Sequence, residues 1–264
     1  MIPTSIDGTD ITGATIDGTD VQEITVDGDV VFSAVPSNLP VAYSNLVAWY
    51  TFDSAEYGGS NADDVTAIIG GSGDDTPYDG SVSGATYQSS GGVTDISAGA
   101  NSGAFDFDGS DNIDISAFKL QTPVTIMGWC NLDTASGSSY FIGDHNSTGS
   151  DWFIGNSKNF SDWRLFDDSS GGSISGVTVT TNVWVHLAVF IGDNESKIYV
   201  DGNLENTSTH NAGSRTIGAT GTWVIGDMGI SRAGSWDGTI DDVRIYDAEV
   251  IGSDINEIYL NTEP

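Results

Sequence analysis

Carboxylates dominate the reactive groups of this chain: 31 Asp and 7 Glu stand beside three Lys, four Arg, three His and one Cys. Cleaving a glycosidic bond takes two carboxyls held about 5 to 9 Å apart. The seven Glu (Glu23, Glu56, Glu195, Glu205, Glu249, Glu257, Glu263) are scattered through turns and near the ends. Asp106 and Asp108 have the i, i+2 spacing, but Phe105 and Phe107 take the core face of that strand, so both acids point outward. Nucleophilic chemistry fares no better, because His145, His186 and His210 lie in no nucleophile motif. The chain is therefore expected not to be an enzyme.

Binding chemistry is better served. A hard cation takes six to eight oxygens, which loops rich in Asp, Asn and backbone carbonyls supply, although no linear EF-hand loop is present. A glycan site needs aromatic platforms beside planar polar groups. The run Gly143-Asp144-His145-Asn146-Ser147-Thr148-Gly149-Ser150-Asp151-Trp152 is a polar loop ending in an indole, and Trp163-Arg164 follows it. Loops at the rim of a β domain are where ligands bind, so Asp144, His145, Asn146, Trp152, Trp163 and Arg164 are the candidate ligand-binding residues. Four Asn-x-Ser/Thr sites, at Asn146, Asn159, Asn194 and Asn206, carry no weight in a chain this rich in Ser and Thr.

The whole chain has 264 residues, 38% of them hydrophobic and 10% aromatic, which is enough for a sizeable core. Its formal net charge of −31 repels phosphate backbones and anionic lipids, so neither nucleic acid nor a membrane is an expected partner. The acids are spread along the chain in short runs. That pattern suits a surface built for molar salt, where self-repulsion is screened within roughly 3 Å. Cys130 is alone and lies in an apolar stretch, so no intrachain disulfide forms and an inert buried thiol is expected. The opening residues MIPTSIDGTDITG show neither a basic n-region nor an apolar h-region, and no apolar run approaches 18 residues. An N-terminal secretory signal and a membrane span are not expected, so extracellular work would need another way out, for instance release as part of a particle.

The elements that must carry these residues are strands. Ser5-Ile6-Asp7-Gly8-Thr9-Asp10-Ile11, Thr15-Ile16-Asp17-Gly18-Thr19-Asp20-Val21 and Thr25-Val26-Asp27-Gly28-Asp29-Val30-Val31 repeat one unit every ten residues. Each has the pattern of a tight Asp-Gly turn between short strands. Units this small must stack on neighbours, other subunits or a foreign surface, so residues 1–35 are expected to form a docking and oligomerisation arm. Pro36 and Pro40 mark a linker over 36–45. From 46 to 264 short strand candidates alternate with Gly, Asn, Asp and Ser, which makes the domain all-β. They include Leu46 to Phe52, Phe105 to Phe107, Ile113 to Ile115, Val124 to Leu132, Trp184 to Ile191 and Lys197 to Val200, with an Asp201-Gly202 hairpin turn. Near the end Ser253 is expected to cap a short helix with Ile255, Ile258 and Tyr259 on one face, plugging an edge or end of the domain.

In order, Leu46-Val47-Ala48-Trp49-Tyr50-Thr51-Phe52-Asp53, Asp79-Gly80-Ser81-Val82-Ser83-Gly84-Ala85, Phe105-Asp106-Phe107-Asp108-Gly109, Val124-Thr125-Ile126-Met127-Gly128-Trp129, Trp184-Val185-His186-Leu187-Ala188, Tyr199-Val200-Asp201-Gly202 and Ile240-Asp241-Asp242-Val243-Arg244-Ile245-Tyr246 resemble the landmarks of concanavalin A-like lectin domains of the laminin G-like type. The resemblance implies a two-sheet antiparallel jelly-roll sandwich, to which the residues add a short C-terminal helix and the small N-terminal β-repeat arm. It also implies a structural Ca²⁺ held by Asp53 and Asp241, with Asp75 a third ligand from a loop shorter than the family's. Trp49, Trp129 and Trp184 fall on its core positions and His186 on a structural one, which leaves Trp152, Trp163, Trp223 and Trp236 for other places. Residues 1–35 resemble the Asp-Gly strand repeats at the N-termini of phage tail and fibre proteins. Together these readings imply a virion surface protein of a salt-loving host's virus. Its arm would join other virion proteins and assemble the chain as a homo-oligomer, while the lectin-like domain adheres to a host-surface glycan or glycoprotein. The rivals are a capsid decoration protein without a receptor and a cellular surface carbohydrate-binding module.

Overall fold

The computed structural model describes residues 45–52, 61–62, 78–93, 103–115, 119–135, 137–144, 152–156, 161–167, 172–218, 223–228 and 234–264, and the backbone of strands within 5–33. The chain divides into two compact units, Met1–Leu39 and Pro40–Pro264. Apart from Asn45, the expected linker lies outside the described residues.

The first unit contains three hairpins, Ser5–Ile6 with Thr9–Asp10, Thr15–Ile16 with Thr19–Asp20, and Glu23–Val26 with Asp29–Ser33. Their innermost pairs, Ile6↔Thr9, Ile16↔Thr19 and Val26↔Asp29, leave two residues of sequence between partners. Those two residues are Asp-Gly each time, so the ten-residue repeat is a repeat of hairpins.

The second unit is a sandwich of two antiparallel sheets. The first sheet runs Thr86–Gln88, Ala104–Asp108, Asp237–Tyr246, Val124–Leu132, Trp184–Ile191, Glu195–Val200 and Asn203–Thr209, and Leu46–Tyr50 pairs with the far half of Asp237–Tyr246. The second runs Gly172–Thr178, Asp162–Asp167, Trp152–Asn156, Ser139–Asp144, Trp223–Ile225, Asn112–Ile115, Gly80–Ser83 and Asn61–Ala62. Period-two alternation builds the core between them: Phe105 and Phe107 are buried, while Asp106 is half-buried and Asp108 exposed, as their spacing requires. The turn at Asp201-Gly202 has φ of 49° and 72°, the pair of positive values that a two-residue type I′ hairpin demands.

The four indoles not assigned to family positions fill this core. Trp152 meets Trp223 edge-on at 4.6 Å, and Trp163 stacks on Trp236 at 6.0 Å and 19°. Cys130 is fully buried with them; burial pushes its thiol well above the usual range, and its Sγ donates to the Val185 carbonyl at 3.6 Å.

The helix Gly252–Asn261 corrects the sequence reading twice. It covers the outer face of the first sheet, where Ile255 and Ile258 pack with Met127, Ala188, Tyr199 and Tyr246, instead of plugging an edge or end. Its N-cap is Ile251, which makes no side-chain capping bond, and Ser253 lies inside the helix. The helix is set by Val250 and Ile255, the positions of a hydrophobic staple, both fully buried in that cluster. A hydrogen bond from Val250 N–H to Thr125 Oγ1 (3.0 Å) fixes its start. A layer between sheet and helix is thereby created, and Trp129 belongs to it: it stacks on Tyr259 at 5.5 Å and donates to Thr262 Oγ1 at 2.7 Å.

Candidate functional site

Adjacent residues on a strand face opposite ways, and this decides which side chains reach a ligand. In Asp162–Asp167, Trp163 and Leu165 enter the core, which turns Arg164 and Phe166 to the outer face of the second sheet. In the neighbouring strand Trp152 and Ile154 are core, so Phe153 is outward. Register then assembles two rows: Gly143, Phe153 and Phe166 in one, Tyr140, Gly155 and Arg164 in the next. The Phe153 and Phe166 rings stack at 5.2 Å and 13°, and Tyr140 leans on Phe153 at 4.5 Å.

Arg164 donates from Nε and Nη2 to the two oxygens of Asp162, at 3.1 and 3.0 Å. This fork fixes a planar polar group beside the aromatic row. Both glycines are required by close approach. A Cβ on Gly155 would stand 2.3 Å from the Ser139 carbonyl oxygen, and one on Gly143 would stand 2.9 Å from that of Trp152 and 3.3 Å from the Met228 backbone. The chain after Trp223–Ile225 therefore passes over the closed end of the row. Tyr140 and Phe153 are each 7% exposed, while Phe166 and Arg164 are half-buried, so the row opens to solvent at Phe166 and Arg164.

Of the six residues read as ligand-binding, the structure keeps one on this surface. Arg164 is there. Trp152 and Trp163, each 1% exposed, are in the core, where an indole packs against another indole and offers no face to a sugar. Asp144 is fully buried, opposite Trp152 in register, and His145 and Asn146 lie outside the described residues. Tyr140, Phe153 and Phe166 were missed. The signal was the alternation itself, since Trp163 and Arg164 cannot share a face.

Across Trp152 from Asp144 stands Asp167, whose carboxylate accepts from Arg215 Nη2 at 2.5 Å. Arg215 Nη1 donates to the Gly192 carbonyl at 2.8 Å in the first sheet's hairpin, so this side chain ties the two sheets together.

Asp241, the described member of the calcium set, is fully buried. Its Oδ2 accepts from Val93 N–H and its Oδ1 from Asp242 N–H, both at 2.8 Å. Asp53 and Asp75 lie outside the described residues. Among the described residues no three His, Cys, Asp or Glu side chains meet in a way that holds a metal. An ion bound by Asp241 would share both its oxygens with backbone N–H groups. The neighbouring Asp242 serves a different purpose: it accepts from Trp49 Nε1 (2.5 Å) and from Arg244 Nε and Nη2 (3.0 and 2.9 Å), and the Arg244 guanidinium lies 4.5 Å over the Trp49 ring.

The remaining candidates for acid–base chemistry occupy separate places. Asp106 and Asp108 face outward in a group with Asp111, Asp133 and Asp237. Burial first, then repulsion by those four, holds the Asp106 carboxyl above its ordinary value of 3.8. Ser196 Oγ lies 3.0 Å from His210 Nε2, but Ser196 is buried and His210 Nδ1 has no partner, so no carboxylate orients the ring as a triad requires. His186 is buried against Trp129 and Tyr259. Burial, then the nearby Arg244, lowers it to about 3, which keeps it neutral.

A family model described as the concanavalin A-like lectin/glucanases superfamily matches residues 107–256. Solved structures share the fold. Domain 4 of an extracellular arabinanase from Geobacillus stearothermophilus, in complex with arabinotriose, superposes with a TM-score of 0.60 at 16% identity, covering 81% of this chain and 98% of that one. A mutant Trypanosoma rangeli sialidase displaying trans-sialidase activity gives 0.58 at 18%, covering 84% and 33%. The binding domain of Paraclostridial Mosquitocidal Protein 1 gives 0.55 at 13%, covering 83% and 52%. The chain thus spans only about a third of the sialidase and half of the mosquitocidal binding region. No curated protein matches it.

Proposed function

The chain belongs to the concanavalin A-like lectin/glucanases superfamily, and from that premise we propose that its jelly-roll is a non-enzymatic glycan-binding domain. The observation that carries this reading is the aromatic cluster of Tyr140, Phe153 and Phe166, which ends beside the Arg164–Asp162 fork on the outer face of the second sheet. A sugar's apolar face stacks on an aromatic ring while its hydroxyls bond to a planar polar pair, and both partners are pre-positioned here. The arabinotriose complex of the arabinanase domain is consistent with such a use of the fold.

In this reading the three Asp-Gly hairpins dock the protein in a larger assembly as a homo-oligomer, where repeated weak contacts to surface glycans or glycoproteins add up. The excess of Asp suits work in molar salt. Both features fit a surface protein of a virus of a salt-loving host, with a receptor-free capsid decoration as the rival. A structural Ca²⁺ at Asp53, Asp75 and Asp241 belongs to the same reading.

The test is a glycan array in molar salt with the full chain and its Phe166→Ala and Arg164→Ala variants. Binding of one glycan class that falls tenfold or more in both variants, at unchanged melting temperature, supports the proposal. Binding that survives both substitutions removes this face as the site, and an array without any hit favours decoration.

A further inference from the structure

The acids of this chain avoid one edge of the sandwich. Residues 169–192 contain no Asp, Glu, Lys or Arg, and residues 203–214 contain only Glu205, although acids make up 38 of the 264 residues. These two segments supply the edge strand of each sheet on the same side: Gly172–Thr178 ends the second sheet and Asn203–Thr209 ends the first. The Asn206 amide donates to the Ser175 carbonyl at 2.9 Å, which draws the two edges together.

Edge strands invite pairing with other chains, and proteins usually guard them with charge. These two strands carry Ser, Thr and Asn with the apolar residues Val177 and Leu204, the latter 54% exposed, and a single charge, Glu205. Asn203–Thr209 is a seven-residue strand, solvent-exposed along nearly its whole length, that pairs on one side with Glu195–Val200 and on the other with no described strand.

We infer that this acid-poor edge, on which Glu205 is the one charge, is a contact surface for a second copy of the chain. Two bodies of charge −31 repel wherever acid faces acid. Bringing the acid-poor strips together keeps all the acids of both copies apart except Glu205, the one charge each strip contributes. A two-fold axis across Asn203–Thr209 would pair the strand antiparallel with itself and extend the first sheet through both copies. Molar salt strengthens the contact, because it screens the repulsion left between the remaining surfaces.

The full chain is compared by sedimentation in molar and in low salt with L204D/T207D, which places charge on the strip, and with S81D/S83D, which places it on the exposed strand Gly80–Ser83. We expect the mass of L204D/T207D to be half that of the unsubstituted chain and of S81D/S83D in molar salt, with equal melting temperatures. The ratio is the readout, so oligomerisation through the N-terminal hairpins multiplies all three masses alike. In addition Thr207→Cys should cross-link through a disulfide between copies while Ser81→Cys does not, Cys130 being buried. Equal masses for all three proteins, or cross-linking at both cysteines, overturns the inference.

Discussion

Asp106→Asn should stabilise the protein, and by an amount that salt and pH both control. Asp106 lies on a strand of the first sheet with Asp108, near Asp111, Asp133 and Asp237; Asp108 and Asp237 are direct cross-strand partners. Residues i and i+2 on one strand are about 7 Å apart. At that distance two unit charges repel by about 0.6 kcal/mol in a water-like medium. Asp106 is mostly solvated, so its four repulsions, most of them longer and partly screened, sum to about 1 kcal/mol near 0.01 M salt, where the Debye length is roughly 30 Å.

One kcal/mol corresponds to about 2–4 °C in melting temperature for a domain of this size. At 1 M salt, with a Debye length of roughly 3 Å, the gain should fall below about 1 °C. The sign with pH follows from the raised carboxyl. The penalty is absent below its unfolded value near 3.8, develops as pH rises through the higher folded value, and is complete above it. Calorimetry of both proteins at neutral pH across salt, and near pH 3.5 in low salt, reads all of this. A gain that persists unchanged at 1 M salt, or at pH 3.5, would refute the electrostatic account.

Three further outcomes are expected. Trp163→Ala should cost about 3–5 kcal/mol in chemical denaturation because it empties the indole stack of the core, whereas Phe166→Ala on the outer face should cost far less. His186 is neutral when folded and protonates readily when unfolded, so stability should fall as pH drops from its ordinary 6.5 to about 3, with a slope of at most about 1.4 kcal/mol per pH unit; His186→Leu should flatten that part of the profile. Ca²⁺ should raise the melting temperature of the unsubstituted protein and leave that of Asp241→Asn unmoved, and a flat response in the unsubstituted protein removes the ion.

What the sequence made legible was whatever depends on neighbours along the chain. The Asp-Gly hairpins, the buried Phe105 and Phe107, and the strands Val124–Leu132 and Trp184–Ile191 follow from turn chemistry and period-two alternation. The candidate site was half legible. Arg164 was found, but it was grouped with Trp163, which the pleat sends the other way, and Phe153 and Tyr140 from two further strands join Phe166 only through register. Trp152 and Trp163, read as ligand platforms, were misplaced for a related reason, since each is a core residue of its strand. Trp129 was read as a packing residue and is buried, but the interior it fills lies under the C-terminal helix, and no local pattern announces which face a helix will cover. The helix start was missed because its anchor is packing by Val250 and Ile255, where a search for polar caps looks elsewhere.

The solitary thiol of Cys130 makes the sandwich its own clock. A reagent can reach that sulfur only when the sheets part, because it is fully buried between them and no second cysteine competes for label. The rate of labelling under native conditions therefore counts openings of the core, and its dependence on reagent concentration separates how often the sheets open from how long they stay open. Followed against salt, this single reaction would report how strongly the surface acids press on the interior without any need to unfold the protein.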